Sequence, residues 1–369
     1  MAELRRTKLY DLHVAQGAKT CPFAGWEMPI QYPMGILNEH LHTRAKAGLF
    51  DVSHMGQVLL RGDGVAEALE TLVPADIVGL KPGRQRYGLF VAPNGGVLDD
   101  LMIANKGDHL YLVVNAANAE ADVAHLRQLE AKGVTVEVAD RSLLALQGPE
   151  AEAVLESLIP GTGAMTFMDS RNFDWNGVTL WISRSGYTGE DGYEISVPHE
   201  AASMLAEALL KTGDVALIGL GARDSLRLEA GMPLYGHEMD KRVTPGRASL
   251  GWAIPKVRRI GGAREGCFPG ADVILAELAA GADRARYGLR PEGRAPIRDG
   301  VGIFAMDQGG EAIGHVTSGG FGPSVGGPVA MADLPAGLPG DTLLYAELRG
   351  KRLPVRLSAL PFHTPQYKR

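Results

Sequence analysis

Cysteine is scarce: Cys21 and Cys267 are the only two in 369 residues. That excludes a disulfide framework and fits a reducing compartment. An excess of basic charge is missing too. The formal net charge is −6, and a phosphate backbone needs a basic surface, so nucleic acid is not expected as a ligand. No run of about 18 apolar residues occurs, so no membrane span or membrane partner is expected. The spacings His-Glu-x-x-His, Cys-x-x-Cys and the facial triad are absent, and no metal is expected. His40 and His42 are two apart on a helical stretch and do not face one ligand, while His54 in DVSHMG is isolated and reads as a packed histidine. Neither G-x-S-x-G nor a Walker loop is present, so hydrolase and NTPase readings lose support. The text MAELRRTKLYDLHVAQG has neither the apolar centre of a secretory signal nor the serine-rich texture of a transit peptide. A cytoplasmic protein is expected, with a processed organellar protein left open.

What is present is ordinary for a soluble globular chain: 45% hydrophobic and 22% charged residues. The length implies two or three domains. Spacing predicts a helix over 35–47 with Gly48 as C-cap, strand text over 49–61, and a helix over 64–73 stopped by Pro74. Asn94-Gly95 predicts a hairpin with arms at 87–92 and 97–104. A strand at 109–118 runs into a helix at 118–132; strands follow at 178–183 and 193–197, then a helix at 200–211. Strand, turn and helix are predicted again within 215–236, ending at Gly231. Beyond about 270, glycines punctuate short apolar runs, which predicts a small all-β domain such as a barrel. A weak echo links LLRGDGVAEALETLVP (59–74) with LALQGPEAEAVLESLIP (144–160), each reading strand, glycine turn, helix and proline stop.

Three stretches invite chemistry. In GGVLDDLM (95–102), strand alternation puts one aspartate with Val97, Leu101 and Ile103 and the other with Leu98 and Met102. Asp99 and Asp100 could serve as a metal pair, a base or turn-supporting polar groups. In RSGYTGEDGYEISV (184–197), Glu194 lies opposite the apolar face of Tyr193, Ile195 and Val197. It could accept two parallel N–H bonds from a planar heterocycle, although spacing alone favours a solvated strand face. GLGARDSLRLEAG (219–231) lacks the third glycine of a dinucleotide loop. Its Arg223 and Arg227 share a helical face. A carboxylate-bearing ligand and internal pairing with Asp224 or Glu229 account for them equally well. On the residues alone, this is a soluble α+β protein with a candidate carboxylate-lined pocket, and no more.

The segments FAGWEMPIQY (23–32), LFDVSHMG (49–56), GGVLDDLM (95–102), VVNAAN (113–118), ALQGPEA (145–151), SRSGYTGEDGYE (183–194), GLGARDSLRLEAGMPLYG (219–236) and VTSGGFGPS (316–324) occur in this order. Together they closely resemble the aminomethyltransferase (T-protein) family of the glycine cleavage system. The resemblance implies a three-domain cloverleaf: a duplicated, ferredoxin-like α+β core over about 1–53 plus 140–265, an inserted α+β domain over 54–139 carrying the Asp-Asp motif, and a β-barrel over 270–369. It implies transfer of a one-carbon unit from the aminomethylated lipoyl arm of the H-protein to the co-substrate tetrahydrofolate, with ammonia and 5,10-methylenetetrahydrofolate as products. Asp100 matches the family's acting aspartate, and an ordinary aspartate, with a pKa of about 3.9, is ionised and ready to accept a proton. Glu194 and Arg223 match folate-binding positions; Tyr87, Asn115 and Tyr187 match lining groups, and Tyr367 a tyrosine that closes the site. Met55 and Trp252 would be apolar walls.

REGCFPGAD (264–272) partly resembles the Lys-Gly-Cys-aromatic-x-Gly-Gln signature of folate-dependent iron–sulfur maintenance proteins of the same fold. Gly266, Cys267, Phe268 and Gly270 match, while Glu265 and Ala271 depart. Such a protein, or a folate-dependent demethylase, is the alternative.

Overall fold

A computed structural model describes residues 3–340 and 342–369. Three β-assemblies organise the chain. The first is a six-stranded sheet in the order Ser170–Trp175, Val178–Ser183, Gly192–Pro198, Arg141–Gln147, Ala47–Asp51 and Val215–Leu217. The second has five antiparallel strands in the order Arg84–Val91, Val97–Asn105, Leu110–Val114, Gly56–Arg61 and Thr135–Val138. The third is a closed six-stranded barrel built between Arg284 and Ser358. Among the described residues no helix is long and apolar enough to cross a membrane.

Period-two alternation decides how the first two sheets meet. On the strand Arg141–Gln147, Leu144 and Leu146 pack with Val154 and Leu155 of the helix Ala151–Leu158 and with Leu205 and Leu209 of the helix His199–Leu210. Leu143 and Ala145 point the other way and pack with Phe50 and Val52, against which Met55 and Val113 lie. Tyr111 and Leu59 of the five-stranded sheet reach Trp181 of the six-stranded one. The two sheets therefore face each other, and residues on the facing surfaces are the ones that can share a site. Each fully buried leucine in these layers stabilises the fold by roughly 1.5–3 kcal/mol.

The helix Leu220–Glu229 is fixed between the sheets and the barrel by buried polar contacts. Its first turn is held by Glu39, whose carboxylate accepts from the backbone N–H of Gly219 at 2.8 Å and of Tyr32 at 2.6 Å. Glycine is required at 219 because a Cβ there would stand 2.4 Å from the carbonyl oxygen of Ile30. The far end is held by Glu229, which accepts from Arg44 Nη2 at 3.2 Å, His40 Nε2 at 3.0 Å and the Ser324 N–H at 2.8 Å. Burial holds His40 below its ordinary range, so at neutral pH the charge that balances Glu229 is that of Arg44.

Some expected boundaries move. Gly48 does not cap the helix Ile36–Ala45; it lies inside the strand Ala47–Asp51, packed against Thr43 and Ile218. Tertiary packing of a buried strand outweighs the local capping preference there. The helix expected over 64–73 shortens to Val65–Leu69, and that over 118–132 divides into Ala119–Leu126 and the 3-10 turn Arg127–Lys132. The two copies of the sequence echo fall in different sheets, as one strand-helix unit in each.

Candidate active site

The hairpin predicted at Asn94-Gly95 pairs Leu89 with Asp100 and Tyr87 with Met102. Gly95 takes φ +83°, and a Cβ at Gly96 would collide with the Lys241 carbonyl at 2.0 Å. Alternation then separates the two aspartates. Asp99 is fully buried with Val97, Leu101 and Ile103, while Asp100 shares the half-buried face of Leu98 and Met102. Tyr87 is a diagonal neighbour of Asp100 on that face, and its hydroxyl donates to Asp100 Oδ2 at 3.0 Å. Asn115, just beyond the next strand, donates through Nδ2 to Asp100 Oδ1 at 2.7 Å and to Asp99 Oδ1 at 2.9 Å. Burial, and then the charge of Asp99, push the Asp100 carboxyl up to about 7. The expectation of an ordinary, fully ionised aspartate is therefore corrected: near neutral pH Asp100 exchanges its proton readily.

Glu194 is half-buried, with Tyr193, Ile195 and Val197 wholly buried on the opposite face. Its Oε2 accepts from Ser185 Oγ at 2.6 Å. Arg223 lies with its guanidinium 4.9 Å from the Tyr187 ring centroid, and among the described residues no carboxylate pairs with it. Burial lowers its pKa, with Glu194 and Tyr187 opposing. Arg227, one turn on, is wholly different: it is buried, donates to Asp224 at 2.9 Å, Glu238 at 3.2 Å and Ser318 at 2.8 Å, and is thereby used up. The two arginines thus divide the two readings open in the sequence.

The Tyr187 hydroxyl donates to the Pro233 carbonyl, and the Asp100 charge reaches this ring. Trp252 is 65% exposed and stacks on Tyr87 with ring centroids 5.2 Å apart. Met55 packs against the buried cluster that includes Ile218, Ala222 and Leu226, the last two on the helix that carries Arg223. Asp100, Tyr87, Asn115, Trp252, Tyr187, Arg223, Glu194 and Met55 are thus drawn from strands of both sheets, the segments that join them, the turn Gly251–Ala253 and the helix Leu220–Glu229. Tyr367 is not brought into this group. It stacks on Phe167, centroids 4.2 Å apart, and lines a separate cavity with Glu152, Arg184 and Lys368. The extended tail packs where Lys368 can reach Glu152 at 2.8 Å.

Sequence reasoning missed several neighbours. Glu238 and Arg286 line a cavity of about 460 Å³ beside the barrel and also act electrostatically on Tyr187 and Tyr87. Asn118, within the VVNAAN text, donates to Asp99 at 2.9 Å. Asp122 follows one turn later and is buried. His54, read as packed, is indeed buried, and burial lowers it to about 4 with Arg223 nearby.

Residues 9–258 match the family model described as the GCVT N-terminal domain, and residues 284–363 match the glycine cleavage T-protein C-terminal barrel domain. The chain belongs to the glycine cleavage T-protein family. It is 46% identical to the mitochondrial aminomethyltransferase of Flaveria pringlei, over 99% of this chain and 91% of that one. It is 44% identical to the Homo sapiens mitochondrial aminomethyltransferase with the same coverages. The crystal structure of the glycine cleavage system aminomethyltransferase T from Bartonella henselae superposes with a TM-score of 0.92, at 45% identity, covering 99% of this chain and 100% of that one. As a T-protein family member, the chain is a folate-dependent aminomethyltransferase with the three-domain cloverleaf fold. The iron–sulfur and demethylase alternatives are not favoured. The cytoplasmic expectation is overturned, since these curated relatives, with that of Dictyostelium discoideum at 42% identity, are mitochondrial proteins. That expectation rested on the composition of residues 1–17, a weak signal for compartment.

Proposed function

We propose that this T-protein moves the one-carbon unit from the aminomethylated lipoyl arm of the H-protein to tetrahydrofolate, with Asp100 as the proton acceptor at the receiving amine. The supporting observation is the placement of a half-buried carboxylate of raised pKa, held by Tyr87 and Asn115. It shares an aromatic-lined site with an arginine that has no ion pair among the described residues.

The residues fit tetrahydrofolate. Glu194 Oε1 is free of the contact that engages Oε2, leaving an acceptor edge for pterin N–H groups. Arg223 offers a desolvated cation that among the described residues makes no ion pair, with Glu194 acting on it through space. Tyr87, Tyr187 and Trp252 supply flat apolar surface, with Met55 as a further wall. When bound, tetrahydrofolate supplies a nucleophilic amine. Asp100 orients that amine through Oδ2 or Oδ1 and takes up its proton. Tyr87 and Asn115 keep the carboxylate in one rotamer, and Glu194 and Arg223 hold the acceptor against it. A placed base contributes typically 10²–10⁴-fold, and fixed orientation supplies much of the remainder. The domain limits expected above are kept as part of this proposal, with Tyr367 left outside the acceptor pocket.

Mixing the protein with aminomethylated H-protein, with and without tetrahydrofolate, tests the reading by ammonia release. Folate-stimulated release that survives Cys267→Ala and collapses in Asp100→Asn is expected. No folate-stimulated release from the intact protein ends the proposal.

A further inference from the structure

We propose that Asp122 is a carboxylic acid that shares its proton with Asp99 and is a positioning residue for Asn115 and Asp100. This rests on the reading that Asp100 does the chemistry.

Both side chains are buried, Asp99 at 0% exposure and Asp122 at 3%, and they lie within hydrogen-bonding reach of each other. Two carboxylates in such contact cannot both be ionised. Their surroundings decide which keeps the proton. Asp99 Oδ1 accepts from Asn115 Nδ2 and Asn118 Nδ2, both at 2.9 Å, and Oδ2 from the Asn115 backbone N–H at 3.2 Å. Among the described residues nothing donates to Asp122 Oδ2. Asp99 is therefore the acceptor and Asp122 the donor.

The charged and titratable groups around Asp122 agree. Asp99 and Asp100 face it from the strand Val97–Asn105, and Tyr235 from the segment beyond the arginine helix. His125, on its own helix, has Nε2 unpartnered and is held low by burial, so it brings no positive charge. Burial first, then the hydrogen bond to Asp99, and after it the charge of Asp99, raise the Asp122 pKa. The result is a relay of contacts: Asp122 donates to Asp99, Asp99 fixes Asn115, and Asn115 fixes Asp100. A proton on Asp122 also spares Asp100 a second neighbouring negative charge beside that of Asp99.

The test compares the intact protein with Asp122→Asn and Asp122→Leu. The infrared difference between wild type and Asp122→Asn at neutral pH should contain the carbonyl stretch of a protonated carboxylic acid. Asparagine can donate to Asp99 as the acid does, so its acid limb in the pH–rate profile should stay in place. Turnover in Asp122→Leu should fall about tenfold or more, as expected for a lost buried donor, and Asp122→Asn should recover most of it. A difference spectrum without that carbonyl band overturns the proposal. So does an acid limb that moves to lower pH in Asp122→Asn, because it means a negative charge was removed beside Asp100. If Asp100→Asn keeps turnover, the base assignment fails, while the Asp122 band still decides this proposal separately.

Discussion

The Tyr87 hydroxyl stands 3.0 Å from Asp100 Oδ2 and donates to it. A donor to the ionised form lowers a carboxyl pKa, whereas burial and Asp99 raise it, and the balance is a value of about 7. If Asp100 must be ionised to act, kcat/KM rises as pH increases through about 7. Removing the donor in Tyr87→Phe destabilises the ionised form, so the rising limb moves to higher pH. The pH–rate profiles of the two proteins check this. A limb that stays put in Tyr87→Phe, or a wild-type limb at the ordinary carboxylate range, contradicts it.

Asp100→Asn keeps the shape and the contact with Asn115 but cannot accept a proton. Turnover should fall by about 10²–10⁴-fold, while tetrahydrofolate binding, followed by calorimetry, changes little. Binding lost in proportion to turnover would assign Asp100 a structural task instead.

Glu194→Gln replaces one acceptor with a donor and breaks two-point recognition of a pterin edge. An unpaired buried polar group costs about 1–3 kcal/mol, so tetrahydrofolate binding should weaken by roughly ten- to a hundredfold. Arg223→Met should weaken it as well, through loss of the cation beside Tyr187. Arg227→Met should instead lower stability, because Arg227 is committed to Asp224, Glu238 and Ser318. Paired binding and thermal-melt measurements separate the two arginines; equal losses of binding would refute the division.

Glu229 joins Arg44 and His40 to the Ser324 N–H. Despite burial, these contacts hold its carboxyl down to about 2, against about 4.3 for a free glutamate. Its folded-state pKa is depressed, so its stabilising contribution is complete above about pH 4.3 and is lost as pH falls through about 2. Glu229→Gln at neutral pH should destabilise by about 3–5 kcal/mol, the usual cost of leaving a buried charge unmatched. Urea unfolding of the two proteins between pH 3 and 7 measures this. A constant difference across that range would show that the carboxylate charge plays no part.

Local patterns were legible where they depend on period and turn chemistry. Asp99 and Asp100 take opposite faces because they are neighbours in a strand, and Asn94-Gly95 makes the hairpin that puts them there. Glu194 opposite Tyr193, Ile195 and Val197 follows from the same rule. What spacing could not supply was long-range pairing. Arg223 and Arg227 share a helix face, yet only Arg227 meets Ser318, 91 residues away. The raised pKa of Asp100 depends on burial between two sheets, and no run of residues in GGVLDDLM encodes that. Asp122 lies one turn beyond VVNAAN and looks like an ordinary acid in the first turn of a helix. Only the packed Asp99 makes it unusual. The site assignments for Asp100, Glu194 and Arg223 came from whole-chain resemblance and remain proposals for mutagenesis.

The site draws on residues 55, 87–115, 187–194, 223 and 252. A ribosome that has released the first 150 residues has made the hairpin with both aspartates, but neither Glu194 nor Arg223. Vectorial synthesis therefore delivers the half of the site that carries the proposed proton acceptor well before the half proposed to grip folate. A nascent chain should gain affinity for folate abruptly, late in translation, when the helix Leu220–Glu229 docks between the sheets and the barrel.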